Sequence, residues 1–181
     1  MDIKKIPIGK NPPNDINVII EIPLNGDPVK YEVDKESGAM FVDRFLHPPQ
    51  YYPVNYGFVP HTLSEDGDPL DVMVVGRHPV AVGSVMRSRP IGVLMMEDEA
   101  GMDEKILAVP HPKLHPFYDN VVNYDDLPPV VIKQIEHFFA HYKDLEDGKW
   151  VKVAGWRNAE EASKIIQESI ERAEAKAKKK A

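Results

Sequence analysis

The sequence INVIIEIPLNGDPVKYEVD, residues 16–34, contains two β-type segments joined by a turn. Residues 16–22 are rich in β-branched side chains, and residues 29–34 alternate in polarity; both features favour β-strands. Asn25-Gly26-Asp27-Pro28 lies between them and is a typical turn sequence. This stretch therefore predicts a strand, a turn and a return strand.

The same pattern continues through most of the chain. All 17 prolines lie within residues 1–130 and punctuate short segments there, so strands and loops are expected first and helices last. The further strand candidates are residues 39–45, 56–59, 70–75, 84–96, 105–109 and 149–153.

Two helices are predicted in the last third. Pro128-Pro129 is a favoured helix start, and apolar residues recur at helical spacing from Val131 to Tyr142. Asn158 is a good N-cap, with Glu161 three residues later and apolar residues at helical spacing beyond it. Many short strands followed by two helices predict an α+β fold. We expect a closed, OB-like antiparallel β-barrel with the two C-terminal-half helices packed outside.

Composition limits the class of protein. A chain of 181 residues with 43% hydrophobic residues is expected to form one domain, residues 1–181, with a frayed basic end at about 175–181. The absence of cysteine excludes disulfides, iron–sulfur sites, thiolate zinc sites and a cysteine nucleophile. The apolar stretch 91–96 is too short to span a membrane, and residues 1–14 lack the apolar region of a secretory signal. A cytoplasmic protein without membrane association is expected.

The net charge of −7 is unevenly distributed. Residues 158–181 carry six Lys or Arg and five Glu, a balance of +1, which leaves −8 on residues 1–157. A body this acidic repels polyanions, so nucleic-acid binding is not expected. The exception is an acidic site that first binds cations and then attracts a phosphate.

The densest acidic segment is Glu65-Asp66-Gly67-Asp68-Pro69-Leu70-Asp71. Its carboxylates repel one another unless cations lie among them, and oxygen ligands without Cys favour Mg²⁺, Mn²⁺ or Ca²⁺. The EF-hand pattern fails, because Asp71 stands where that loop needs glycine and Arg77 where it needs glutamate. A solvated acidic turn is an equally good interpretation of this segment alone.

A second acidic segment spans residues 97–104 and has five acids around Ala100-Gly101. It is typical of a hairpin tip in water, but it could also complete a site for several metal ions. His137 and His141 have the spacing of a zinc helix, yet Phe138 replaces the catalytic glutamate and no third ligand is evident. Phosphate-binding P-loops, dinucleotide-binding fingerprints and serine-hydrolase elbows are absent from the sequence.

Together these segments resemble the soluble family I inorganic pyrophosphatases of the short bacterial type. The resemblance is carried by Asp66-Gly67-Asp68-Pro69-Leu70-Asp71 and by several shorter segments in the family's order, over about residues 7–156. The shorter segments are Glu21-Ile22-Pro23, Lys30-Tyr31-Glu32, Phe41-Val42-Asp43-Arg44, Tyr52-Pro53-Val54-Asn55-Tyr56-Gly57, residues 98–105 and His141-Tyr142-Lys143-Asp144-Leu145-Glu146.

The resemblance implies hydrolysis of inorganic pyrophosphate to two phosphates in a site with several Mg²⁺ ions. Mn²⁺ or Zn²⁺ would substitute, and Ca²⁺ would inhibit. It also implies a homohexamer built as a dimer of trimers.

The resemblance also assigns roles to residues. Asp66, Asp71 and Asp103 resemble ligands of the first metal, with Asp71 shared with the second. Asp98 and Asp103 resemble ligands of a further metal, and Glu21 and Glu32 outer acids of the site. Asp68 resembles the general base. The groups that resemble phosphate-binding residues are Lys30, Arg44, Tyr56, Lys105, Tyr142 and Lys143.

Two alternatives stay open from the residues themselves. A phosphohydrolase of nucleotides or sugar diphosphates would use the same metals, but the sequence shows no segment dedicated to a base or sugar. A non-enzymatic Ca²⁺-binding protein would leave Lys30, Arg44, Tyr56 and Tyr142 unexplained as a group.

Overall fold

The structure, a computed structural model, describes residues 1–179. It contains eight strands in this range: β1 Ile16–Ile22, β2 Val29–Val33, β3 Met40–Phe45, β4 Asn55–Phe58, β5 Asp71–Val74, β6 Val85–Asp98, β7 Gly101–Pro110 and β8 Val151–Asn158. The helices are α1 Pro129–His141 and α2 Ala159–Lys178, with short 3-10 turns at Ile3–Lys5, Pro116–Tyr118 and Tyr124–Asp126.

Five strands close into a ring. The pairings β1–β4, β4–β5, β5–β7, β7–β6 and β6–β1 return to the first strand, and β8 adds to the free part of β6. Four of these five pairings are antiparallel and the β5–β7 pairing is parallel. The sequence therefore predicts the α+β class and the closure, but not the parallel pair, because strand direction depends on the path of the connecting loops.

Along one of its edges, the long strand β6 pairs with two different strands. Residues 85–88 pair with β1, whereas residues 92–98 pair with β8. Between them, the pairing with β7 shifts register from Pro90 to Gly92, so Ile91 forms a bulge. A bulge bends a strand, and proline cannot donate a ladder hydrogen bond. This bend lets one strand leave the ring and pair with β8.

A second, separate sheet consists of β2 and β3 only. Its register places Lys30 opposite Arg44 and Glu32 opposite Phe41. The predicted turn and return strand after β1 therefore exist, but β2 pairs with β3 rather than with β1.

Both faces of the ring strands are buried. In β5, Met73 belongs to an apolar cluster that includes the α1 residue Phe139, while Val72 belongs to a second cluster that includes the α2 residue Ile166. The two helices thus cover the sheet.

Glycine is required where strands approach closely: a Cβ on Gly57 would lie 1.9 Å from the Ile19 carbonyl oxygen.

The predicted helix signals are confirmed at both helix starts. Pro129 is the first residue of α1. The Asn158 side chain accepts a hydrogen bond from the Glu161 N–H at 3.0 Å and caps α2. Of the end predicted to fray, residues up to Lys178 are helical, and residues 180–181 lie outside the described part of the chain. Within residues 1–179, neither helix combines the length and apolar character needed to cross a lipid bilayer.

Candidate active site

One polar cavity gathers side chains from almost every element. It is lined by all the site residues that the sequence singles out, together with five others. The predicted residues are Glu21, Lys30, Glu32, Arg44, Tyr56, Asp66, Asp68, Asp71, Asp98, Asp103, Lys105, Tyr142 and Lys143, and the additional ones are Lys35, Tyr52, Phe58, Pro69 and Phe139. The structure therefore brings the whole predicted set to one place.

The chain supplies these groups from widely separated segments. The β2–β3 sheet contributes two cations and an acid, the loop before β5 and the start of β5 contribute three aspartates, and the β6–β7 hairpin contributes two aspartates and a lysine. The residues just after α1 contribute Tyr142 and Lys143. In the acidic segment 97–104, Glu99 and Ala100 form the exposed hairpin tip that the sequence predicts, while Asp98 and Asp103 line the cavity.

The aspartate loop before β5 has a defined turn. The Asp66 carboxylate accepts a hydrogen bond from the Asp68 N–H at 3.0 Å, and the Ser64 N–H donates to the Asp68 carbonyl at 2.7 Å. Gly67 has a φ of +97°, a conformation that favours glycine. Burial, with neighbouring carboxylates, raises the pKa of Asp66 above its usual value. This turn presents Asp66 and Asp68 to one cavity.

Lys105 lies at the centre of the charged groups. It is 3% exposed, and its Nζ is 2.9 Å from Asp71, 3.0 Å from Asp103 and 3.0 Å from the Tyr56 hydroxyl. Burial opposes the lysine charge, but the two carboxylates outweigh it and raise the pKa of Lys105 well above its usual value. The ammonium group is therefore held charged between two aspartates.

Tyr56 completes this cluster as a hydrogen-bond donor. Its hydroxyl donates to the Asp71 carboxylate, and its ring is buried beside Tyr52 with ring centroids 5.3 Å apart. Burial, and then the nearby Asp71 charge, raises the pKa of Tyr56 well above its usual value. The phenol stays neutral and can donate to an anion.

A second cation, Lys143, is bound by the β6–β7 hairpin. Its Nζ lies 2.8 Å from Asp98 and 3.5 Å from Glu99, and Lys149 also contacts Glu99 at 2.5 Å. Burial works against ionisation of Asp98, yet the hydrogen bond from Lys143 lowers the pKa of Asp98 below its usual value. Asp98 is therefore an anion that already binds one cation.

Glu21 differs from the other acids because it is deeply buried. It is 5% exposed and accepts a hydrogen bond from the Val33 N–H at 2.7 Å, with Lys35 Nζ at 3.9 Å. Burial raises the pKa of Glu21 to about 7, against the lowering effect of that hydrogen bond. Glu21 thus joins β1 to β2 at the edge of the cavity.

The chemistry of the donor set fits hard divalent cations. The acidic side chains offer only carboxylate oxygens, the ligands that Mg²⁺ prefers. Asp71 and Asp103 already share one cation, the Lys105 ammonium. Within residues 1–179, however, no group of three His, Asp or Glu side chains is arranged closely enough to hold a metal as it stands. In this arrangement Asp71, Asp98 and Asp103 each contact a lysine ammonium group.

The sequence alone assigned no role to two residues that line this cavity, Tyr52 and Lys35. Tyr52 is 1% exposed and packs on Tyr56 and Phe138, and Lys35 lies 4.7 Å over the Phe58 ring. For Tyr52 the available signal was its place in the family-like segment 52–57, whereas Lys35 lies in a turn whose direction the sequence does not give. His137, in contrast, lines a separate groove away from this cavity.

Comparisons with known proteins agree on one family. The family model described as inorganic pyrophosphatase matches residues 18–174. An inorganic pyrophosphatase of Rhodospirillum rubrum is 75% identical over 170 residues, which is 94% of this chain and 95% of that protein. One of Pseudomonas aeruginosa is 58% identical over 170 residues, covering 94% and 97% of the two chains.

Solved structures with the same fold include an inorganic phosphatase of Anaplasma phagocytophilum, with a TM-score of 0.92 and 49% identity over 94% of this chain and 99% of that one. The inorganic pyrophosphatase of Thermus thermophilus gives a TM-score of 0.90 at 41% identity, covering 96% and 99%.

Proposed function

The chain belongs to the inorganic pyrophosphatase family, a family of metal-dependent enzymes, and on this premise we propose that the polar cavity is the active site at which it hydrolyses pyrophosphate. The protein is a hydrolase that converts pyrophosphate to two phosphates. The observation that supports the site is that one cavity collects both the acids and the cations that this reaction needs.

Hydrolysis of so compact an anion is mainly a problem of neutralising and positioning charge. We propose Mg²⁺ as the metal, with Asp66, Asp71 and Asp103 as the first ligands, Asp98 as a further ligand and Glu21 and Glu32 as outer acids. Bound Mg²⁺ would neutralise the substrate and make the attacking water more acidic.

The basic and phenolic groups bind the phosphoryl oxygens. Lys30 and Arg44 approach from the β2–β3 sheet, and Tyr142 and Lys143 from the end of α1. Lys105 and Tyr56 now bind the Asp71 carboxylate. If that carboxylate held a metal ion, both donors would be available to the substrate.

Asp68 acts as the general base. Its carboxylate has no hydrogen bond or ion pair with any of residues 1–179, unlike Asp71, Asp98 and Asp103, although it lines the cavity. A carboxylate without a cation partner can accept a proton from water without first losing an ion pair.

Phosphate release measured with Mg²⁺ on pyrophosphate, ATP, a dinucleoside polyphosphate and a sugar nucleotide tests this function. We expect turnover of pyrophosphate far above that of the other three. Preference for a nucleotide would indicate a phosphohydrolase of different specificity, and no turnover of any substrate would indicate a binding protein.

Metal choice provides a second test. Mn²⁺ or Zn²⁺ is expected to replace Mg²⁺, whereas Ca²⁺ is expected to bind but to support little hydrolysis. Its bonds of about 2.3–2.6 Å and looser geometry would misplace substrate and water. Assays after rigorous removal of Mg²⁺ check this, and robust turnover in Ca²⁺ alone would contradict it.

We also propose a single domain, a cytoplasmic location and a homohexamer built as a dimer of trimers, without nucleic-acid or membrane partners. The support for the hexamer is the family resemblance, together with an exposed apolar groove beside α1 that includes Tyr51, Phe117 and Val130.

A further inference from the structure

Glu146 contacts the active-site cavity only through another residue. It is not among the residues that line the cavity, but its Oε1 accepts a hydrogen bond from Arg44 Nε at 3.1 Å. The Glu146 side chain is only 13% exposed, so this contact is largely shielded from water. A charged hydrogen bond in such a place is stronger than one on the surface.

The Arg44 guanidinium is held on two of its nitrogen atoms. Nε donates to Glu146, and Nη1 donates to Asp43 at 3.0 Å. Nη2 has no acceptor among residues 1–179. Because the guanidinium is planar and its donors have fixed directions, two such contacts fix its plane and leave the remaining donors for an anion in the cavity.

Glu146 also joins two parts of the cavity that are far apart in sequence. Its N–H donates to the Lys143 carbonyl at 2.9 Å, so it is fixed in the turn that follows α1. Arg44 lies opposite Lys30 in the β2–β3 sheet, which is separate from the ring. The Glu146–Arg44 contact therefore connects the cations of that sheet to Lys143.

We propose that Glu146 is a positioning residue for substrate binding. It aims the Arg44 guanidinium into the cavity and keeps the β2–β3 sheet aligned with the end of α1. This inference rests on the proposed binding of pyrophosphate by Arg44, and it assigns no contact between Glu146 and the substrate.

The test compares Glu146→Ala and Glu146→Gln with wild type in steady-state hydrolysis of Mg-pyrophosphate. Glu146→Ala is expected to raise KM about tenfold with kcat nearly unchanged, the pattern of lost binding energy common to ground and transition states. Glutamine keeps an acceptor of the same length, so Glu146→Gln is expected to raise KM less. The affinity for methylenediphosphonate, a non-hydrolysable analogue, measured by calorimetry is expected to fall in parallel.

Asp147→Asn is the matched control, because it removes one negative charge from an exposed position in the same turn. It is expected to leave KM unchanged. If it raises KM as much as Glu146→Gln does, the effect comes from the charge of the turn and the inference is wrong. Thermal unfolding of each variant verifies that the fold is retained.

A double-mutant cycle with Arg44→Ala separates the inference from the proposed function. If Glu146 acts through Arg44, the double variant is expected to be no worse than Arg44→Ala alone. Additive effects, or an unchanged KM in Glu146→Ala beside a raised KM in Arg44→Ala, would overturn the inference alone. An unchanged KM in Arg44→Ala would overturn the substrate role of Arg44 as well.

Discussion

Lys105 sets the charge balance of the cavity, because it is almost fully buried and contacts two aspartates at once. Its position between the acidic pair Asp103-Glu104 and the apolar run that begins at Ile106 does not indicate this burial. A lysine five residues from a hairpin tip is usually solvated. Only the parallel pairing of β7 with β5 brings it to Asp71.

Lys105→Met is expected to lower the free energy of unfolding of the metal-free protein by roughly 3 kcal/mol, because removing one partner leaves two carboxylates without a cation. Added Mg²⁺ is expected to recover part of this loss by replacing the missing charge. Urea unfolding in EDTA and in Mg²⁺ measures both effects.

Lys149→Met is the matched control for that experiment. Its ammonium pairs with Glu99 near the surface and is 43% exposed, so a loss of at most about 1 kcal/mol is expected. Equal losses in the two variants would contradict the central role of Lys105.

Asp68 and Asp71 lie three positions apart in the sequence but are predicted to differ in function. Asp71→Asn is expected to weaken metal binding itself, since an amide oxygen carries no charge to offset a divalent ion. Asp68→Asn is expected to keep the metal affinity but to lower kcat by a factor on the order of 10²–10⁴, the usual value of a general base.

Calorimetric titration of Mn²⁺ into both variants, together with phosphate-release assays, distinguishes them. The residual rate of hydrolysis by Asp68→Asn is still expected to depend on Mg²⁺. If Asp68→Asn loses metal as severely as Asp71→Asn does, Asp68 is another ligand and the base assignment is wrong.

At the scale of single elements, the sequence predicted most strands and both helices because their signals are local. β-branched segments, the proline before α1 and the Asn158 cap act within a few residues. β8 is longer than predicted, since it runs to Asn158 through Gly155. Gly155 has a φ of +96° and lies beside a register shift in the pairing of β8 with β6. Such an irregularity depends on the partner strand, so the local sequence pattern does not predict that the strand continues through it.

The segment before β1 is attached to β6 by an ion pair that the sequence does not predict. Asp15 is 8% exposed and accepts two hydrogen bonds from Arg87, at 2.8 Å from Nε and 2.5 Å from Nη2. These bonds lower the pKa of Asp15 below its usual value of 3.8. Its contribution to stability is therefore present above that pH and is lost as the pH falls through the lowered pKa.

Asp15→Asn is expected to lower the free energy of unfolding by about 2 kcal/mol at pH 7, the usual value for hydrogen bonds to a charged group. The difference from wild type is expected to shrink as the pH falls below 3.8, because the carboxyl is then protonated in the unfolded chain and, below its lowered pKa, in the folded protein as well. Urea unfolding at pH 7 and pH 3 measures it. Asp2→Asn, which alters an exposed pair with Lys5, is the control and is expected to show almost no change.

At the scale of the whole molecule, the site depends on contacts that span the chain. Arg44 and Glu146 are 102 residues apart, and Tyr56 and Lys105 are 49 residues apart. The acidic segment 65–71 could be identified from the sequence alone, because its charges are close together along the chain. The partners that neutralise those charges come together only when the strand ring closes, so local patterns could not pair them.

The exposed side of α1 has features that allow the proposed oligomeric state to be tested. The rings of His137 and His141 are 4.6 Å apart, both residues are exposed, and His141 Nδ1 lies 2.7 Å from the Asp144 carboxylate. His137 also borders the apolar groove that contains Tyr51 and Phe117. Polar groups that flank an exposed apolar surface are typical of a subunit interface.

Replacing His137 and His141 together by alanine is expected to weaken the proposed hexamer, because alanine removes the His141–Asp144 contact and the polar groups beside the apolar groove. Sedimentation velocity of wild type and variant between pH 5 and pH 8 measures the assembly. His61→Ala, which alters an exposed histidine bound to the Ile6 carbonyl, is expected to leave it unchanged. If the double variant sediments as wild type does at every pH, this face of α1 does not contribute to assembly.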